Sequence, residues 1–222
     1  MLYLVPTPIG NLDDITIRAL DTLRKVDLIL AEDTRVSRKL LTHFQIDANM
    51  RSFHIQNEHK TLPKIIDLLS DQQDIALITD AGTPGISDPG YLLIKACIDK
   101  KLAFTCLPGA TAFVPALVMS GLPSHHFHFE GFLPHKKGRK TRLMHLASLS
   151  ETFVLYESPN RIEKCVQQLI EHCGGDRRAS LSREISKMYE ENVHGSLVDL
   201  LDWCQRQSKI RGEFVLVIEG LK

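Results

Sequence analysis

The sequence predicts an α/β protein of two domains: an N-terminal domain built on a parallel sheet, and a smaller C-terminal domain with a mixed sheet. Three observations predict it. Short apolar runs alternate with amphipathic helical stretches as far as Met119, the pattern of a parallel sheet covered on both faces. Turns rich in Gly, Pro and Thr follow three of those runs. Ser120-Gly-Leu-Pro-Ser124 reads as a linker, and beyond it the strand-like runs come more densely. The expected domains are therefore 1–122 and 123–222.

Residues 2–5 read as the first strand and Pro6-Thr-Pro-Ile-Gly-Asn11 as a turn. Asp13 or Asp14 can cap a helix with Ile15, Leu20 and Leu23 on one face. Leu28-Ile-Leu-Ala31 is the second strand, followed by Glu32-Asp-Thr-Arg35 and a helix to about Phe44. Residues 51–55 form a weaker third strand, and 62–69 a helix with Ile65, Ile66 and Leu69 inward. Residues 75–79 are the fourth strand. The stretch Asp80-Ala-Gly-Thr-Pro-Gly-Ile-Ser-Asp-Pro-Gly90 then turns into a helix over 91–98. Its glycines reach φ > 0 and its prolines fix φ, with Asp88 expected as N-cap and Pro89 at the first helical position. Residues 103–107 are the fifth strand, followed by Pro108-Gly-Ala-Thr111 and an apolar helix through Met119. In the second half, 126–132 alternates, 152–156 and 179–183 are strands, and 162–172 is helical. Ser196 caps a last helix, and 213–218 closes the chain as a strand.

The three turns that carry Pro8, Gly82 and Thr111 follow strands of one parallel sheet. Their strands end on one edge, where open α/β sheets bind ligands. With little side-chain bulk, such turns bind through main-chain N–H and C=O groups.

Composition narrows the partners. Among 222 residues, 43% apolar and 24% charged is ordinary for a globular protein. Lys plus Arg and Asp plus Glu are both 27, so nucleic-acid binding has to rest on a local patch. Five cysteines without a C-x-x-C spacing fit reduced thiols in a cytoplasm and argue against zinc ribbons. No signal peptide and no membrane span is expected. His125-His126-Phe-His128 lacks the cysteine or paired carboxylate that would complete a metal site, so no metal is expected. There is no G-x-G-x-x-G after the first strand, no P-loop and no G-x-S-x-G elbow. Asp80-Ala-Gly-Thr-Pro-Gly85 only faintly matches the D-x-G-x-G-x-G loop of the common methyltransferase fold, and it follows the wrong strand.

Longer motifs carry a resemblance: Tyr3-Leu-Val-Pro-Thr-Pro-Ile-Gly-Asn-Leu12, Ala31-Glu-Asp-Thr-Arg35, Asp80 to Gly90, Leu107-Pro-Gly109, Phe129-Glu-Gly-Phe-Leu-Pro134, Tyr156-Glu-Ser-Pro159 and Gly212-Glu-Phe-Val-Leu-Val-Ile-Glu-Gly220. Nearly end to end, the chain resembles the branch of the tetrapyrrole methylase superfamily that methylates a cytidine ribose 2′-hydroxyl in 16S ribosomal RNA. One departure is Ala110-Thr111 where many relatives read Pro-Ser; the hydroxyl is kept. The resemblance implies two α/β domains with S-adenosylmethionine in the cleft between them, a homodimer, and a cytoplasmic enzyme acting on the small ribosomal subunit. Carried onto this chain, the cofactor contacts are Pro8, Gly82, Thr83, Pro84, Ile86, Ser87, Thr111, Ala112, Tyr156, Arg183, Glu213 and Phe214.

A 2′-hydroxyl is a weak acid, and a base or a cation would assist its attack. The candidates are Asp33 with Arg35, Glu58 with His59, Glu157 with Arg161, and Glu184 with Lys187; sequence alone does not rank them. Lys136, Lys137, Arg139, Lys140 and Arg142 put five cations in seven residues, the expected contact with RNA phosphates. Two other readings are a tetrapyrrole methyltransferase of the same superfamily and a non-catalytic RNA-binding protein. The basic segment weighs against the first, and the three turns against the second.

Overall fold

In the computed structural model, which describes residues 1–221, the apolar runs of the first half form one all-parallel sheet. Its strands are β1 (Leu2–Leu4), β2 (Leu28–Ala31), β3 (Met50–Ser52), β4 (Ile75–Ile78) and β5 (Phe104–Cys106), in the order β3-β2-β4-β1-β5. Four helices connect them: α1 (Ile17–Lys25), α2 (Thr34–His43), α3 (Glu58–Ser70) and α4 (Tyr91–Asp99). Alternate strand residues face opposite ways, so each face gathers its own core. Leu28, Leu30, Ile75 and Leu77 meet Ile65, Ile66 and Leu69 of α3 and Leu93 and Cys97 of α4. Ile29, Ala31, Ala76 and Ile78 meet Ala19 and Leu23 of α1 and Leu41 of α2.

Several helix starts differ from the expectation. Asp13 and Asp14 lie in a short 3-10 turn capped by Asn11, and Thr16 caps α1 by accepting the Ala19 N–H at 3.0 Å. α3 begins four residues earlier than its apolar face suggests, with Pro63 inside it. Gly90, at φ +134°, is the N-cap of α4 in place of Asp88, and Pro89 precedes the helix. Gly90 brings no capping side chain; Glu58 of α3 supplies one by accepting the Leu92 N–H at 3.2 Å.

The chain divides into compact units 1–111 and 112–222. The sequence reading set the junction near residue 122. The helix α5 (Phe113–Met119) instead packs on strands of the second unit, which consequently equals the first in length rather than being smaller. That unit holds β6 (Phe127–Phe132), α6 (Arg139–Ala147), β7 (Thr152–Glu157), α7 (Ile162–Cys173), β8 (Arg178–Arg183), β9 (Glu191–Ser196), α8 (Leu197–Arg206) and β10 (Phe214–Ile218). Its mixed sheet runs β6-β7-β10-β8-β9; only the β6–β7 pair is parallel. Phe153, Leu155, Leu181 and Leu216 pack on Leu143 and Leu146 of α6, Val166 and Leu169 of α7 and Leu200 of α8. Strand β9 was not foreseen. Glu191-Asn-Val-His-Gly-Ser196 has one large apolar residue, and as an edge strand it takes its order from β8. Ser196 caps α8 as expected, in a reciprocal capping box with Asp199.

Candidate functional site

The three glycine-bearing loops of the first unit are tied to one another at the carboxyl edge of the parallel sheet. Thr7 and Gly82 exchange both backbone hydrogen bonds, at 2.9 and 3.0 Å. The buried Thr7 hydroxyl donates to the Thr79 carbonyl at 3.1 Å. Thr83 Oγ1 lies 3.0 Å from the Ala110 carbonyl and 2.7 Å from Thr111 Oγ1. The loops after β1, β4 and β5 thus form one braced surface. Gly82 sits at φ +84°, and Gly109 lies so close to Pro6 that a Cβ would come within 2.5 Å of its ring. Both positions need glycine, the first for its backbone angle and the second for the close approach.

Pro8, Gly82, Thr83, Pro84, Ile86, Ser87 and Thr111 all lie in these braced loops. Ser87 adopts φ +65°, and Ile86 is exposed although apolar. A pocket of about 230 Å³ opens beside them, with Thr7 and Pro8 on one wall and α2 on the other.

Carboxylates concentrate at the ends of β2 and β4, a feature sequence reasoning missed. The Asp33 N–H donates to Asp80 Oδ1 at 3.1 Å, and the Asp80 N–H donates to Glu32 Oε2 at 3.4 Å. Burial raises the pKa of Glu32 and of Asp80. Burial, with the nearby charges of Glu32 and Asp80, pushes Asp88 up to about 7. Asp88 therefore holds its proton more tightly in the folded protein, and its contribution to stability is lost as pH rises through about 7. In urea unfolding, the wild type is expected to be less stable at about pH 8.5 than at about pH 5, and Asp88→Asn to lose most of that difference. An equal pH dependence in both proteins would place the titration elsewhere.

The candidate bases separate clearly. Asp33 caps α2 and pairs with Arg35 (Nη2 to Oδ2, 2.6 Å), whose hydrogen bonds hold Asp33 down at about 2. At that value it stays ionised and is a weak base. Glu58 is buried and committed to the start of α4. In the second unit, Glu184 Oε1 accepts from Lys187 Nζ at 2.8 Å and from the Glu213 N–H at 2.9 Å. Although burial opposes it, these partners lower the Glu184 pKa; Lys187, which also reaches Glu213 Oε2 at 2.9 Å, is raised by the same pairing. The three residues form a clamp that fixes the loop entering β10. Glu157 is likewise held by Arg161 Nε at 2.7 Å.

The other second-unit candidates carry structural duties of their own. Ala112 is the N-cap of α5 and offers no capping side chain; the Tyr156 hydroxyl accepts the Phe113 N–H at 3.3 Å instead. Arg183 binds the Arg211 carbonyl at 2.8 Å and Glu191 at 3.3 Å. Phe214 is buried against Trp203, whereas Glu213 is exposed.

The basic segment is only partly a surface feature. Arg139 is buried, bonding Gln168 at 2.8 Å and Glu157 at 3.4 Å. Arg142 chelates Glu130, its Nε at 2.8 Å from Oε1. Both guanidiniums are engaged in holding α6 to neighbouring elements. Lys136, Lys137 and Lys140 remain exposed. No cluster that could hold a metal occurs among the described residues. Nor is any helix among them long and apolar enough to cross a membrane.

The family of tetrapyrrole (corrin/porphyrin) methylases matches residues 1–201. A curated relative from Vibrio cholerae serotype O1, named ribosomal RNA small subunit methyltransferase I, is 45% identical over 100% of this chain and 78% of its own length. Another of that name, from Halalkalibacterium halodurans, is 44% identical over 99% of this chain and 75% of its own length. Among solved structures, a cobalt precorrin-4 methyltransferase of cobalamin biosynthesis superposes with a TM-score of 0.71 at 18% identity, covering 98% of this chain and 94% of that one. The last likeness shows a shared α/β fold.

Proposed function

This chain belongs to the tetrapyrrole (corrin/porphyrin) methylase family, and from that premise we propose that it methylates the ribose 2′-hydroxyl of a cytidine in 16S ribosomal RNA, using S-adenosylmethionine. The observation that carries the reading is the bracing of the three loops by the Thr7–Gly82 bridge and the Thr83–Thr111 hydroxyl contact. Such a surface suits a ligand bound largely through main-chain groups. The residues also fit this cofactor by charge. Its sulfonium and ammonium are cationic, and the carboxyls of Glu32, Asp80 and Asp88, all raised in pKa, gain from a cation beside them. Bound, it supplies a methyl carbon attached to a positively charged sulfur.

Gly82, Thr83, Pro84, Ile86, Ser87 and Thr111 would hold it, with Pro8 beside them. The side chains of Asp33, Glu58, Glu184 and Lys187 already have firm partners, so no strong base is assigned to the reaction. Braced loops that orient the reactants and exclude water are the main contribution. The curated relatives' names support the RNA substrate, as do the exposed lysines at the start of α6; a ribosomal substrate carries with it a cytoplasmic location. A homodimer belongs to the same reading and is supported by the exposed Val114 and Val118 on α5; sedimentation at micromolar concentration is expected to give twice the chain mass, and a monomer would contradict it. The enzyme reading itself is tested by titrating S-adenosylmethionine calorimetrically. Saturable binding is expected, and its absence would favour a non-catalytic RNA-binding protein.

A further inference from the structure

We propose that the pocket between the loop after β1 and helix α2 receives the pyrimidine base of the acceptor nucleotide, an assignment that rests on the RNA methyltransferase reading above. At about 230 Å³, the pocket is smaller than the roughly 300–1,000 Å³ sites that enclose a whole drug-sized ligand. It suits one ring of a larger molecule. Its position gives the second reason. Thr7, Pro8, Thr79 and Asp80 line it and also belong to the loops assigned to the cofactor. A ring seated there keeps its attached sugar beside those loops.

The lining supplies the chemistry. Leu12, Val36 and Leu40 offer apolar contact to the faces of a flat ring. Ser37 also lines the pocket; it is 3% exposed, and its hydroxyl has no hydrogen-bond partner. A buried hydroxyl without a partner costs stability, and a base carbonyl or ring nitrogen would satisfy it. Asp80 lines the pocket and uses Oδ1 to accept the Asp33 N–H, so its second carboxylate oxygen is the acceptor assigned to the base. Acidic side chains accept from the exocyclic amine of cytosine, whereas uracil presents a carbonyl at that position. Asp80 thus becomes the residue that favours cytidine over uridine. Lys39 lines the same pocket and is exposed, as is its neighbour Arg38. The two cations suit the phosphates flanking an unstacked base. Recognition of a base splayed out of its strand, held by its edge and its backbone, is the usual mode for single-stranded RNA.

The test uses the full chain, small ribosomal subunits lacking the modification, and S-adenosylmethionine. Ser37→Ala is expected to raise KM for subunits by about tenfold. Its cofactor Kd should stay unchanged, and its unfolding midpoint should be equal to or above that of the wild type. Leu40→Trp, which fills the pocket, should raise KM further. Asp80→Asn should narrow the preference for cytidine over uridine at the target position, since an amide can donate to the uracil carbonyl. Unchanged KM in both Ser37→Ala and Leu40→Trp would overturn the assignment. So would a rise in cofactor Kd with no change in KM, which would make the pocket part of the cofactor site. If the wild type transfers no methyl group to RNA, the underlying function fails and the pocket assignment falls with it.

Discussion

Gly82→Leu is expected to lose S-adenosylmethionine binding by at least about a hundredfold while the protein stays folded. Gly82 combines φ +84° with a backbone exchange to Thr7, and a Cβ there would point toward Ile9 and the Ala110 carbonyl at 3.5 and 3.7 Å. A leucine therefore grows into the space where the three loops converge. The backbone strain alone costs about 1–2 kcal/mol, small against a typical stability of 5–15 kcal/mol. Gly138 provides the control: its φ is +83°, in the left-handed region, and nothing lies within 4 Å of its Cβ position. Gly138→Leu bears left-handed strain away from the loops and should bind normally. Calorimetry on both variants separates the two effects. Full affinity in Gly82→Leu would mean that the cofactor does not use this surface.

Arg139→Ala is expected to be the most destabilising single change in the basic segment, by about 1–3 kcal/mol. Glu157 has a fully buried side chain. It keeps Arg161 and the Ser158 N–H at 2.7 and 2.9 Å, but it loses its second guanidinium. Gln168 loses its Arg139 partner as well. Alanine at Lys136, Lys137 or Lys140 should shift stability by no more than about 0.5 kcal/mol. Replacing all three lysines together should instead flatten the salt dependence of RNA binding, by about two units of slope if each meets a phosphate. Denaturant midpoints and affinities at several salt concentrations check both halves. A stable Arg139→Ala protein, or a triple variant with the wild-type slope, would contradict them.

Arg139 illustrates the limit of reading the chain by itself. Five cations in seven residues look alike in sequence, yet two of them answer carboxylates on β6 and β7, which only the fold brings near. The same holds for Asp88. Its position before Pro89 matches a helix cap, but the chain turns two residues later, at Gly90, and buries the carboxyl beside Glu32 and Asp80. Glu58 gains its role from the contact with α4, and Ser37 is brought by the fold to the same pocket as the loop after β1. By contrast, the central strands were legible because Leu28 to Ala31 and Ile75 to Ile78 are apolar on both faces, as a doubly covered parallel sheet requires. The convergence of the three loops was legible too, because parallel strands place the turns that follow them on one edge. Strand β9, held by pairing with β8 more than by apolar content, was not.

The most direct test of the central claim is the identity of the modified nucleoside. Small ribosomal subunits lacking the modification are incubated with the protein and methyl-labelled S-adenosylmethionine, and the 16S RNA is digested to nucleosides and resolved. All of the label is expected in 2′-O-methylcytidine, and a substrate carrying 2′-deoxycytidine at the target is expected to accept none. Label on a base, label in another nucleoside, or undiminished transfer to the deoxy substrate would contradict ribose methylation of cytidine.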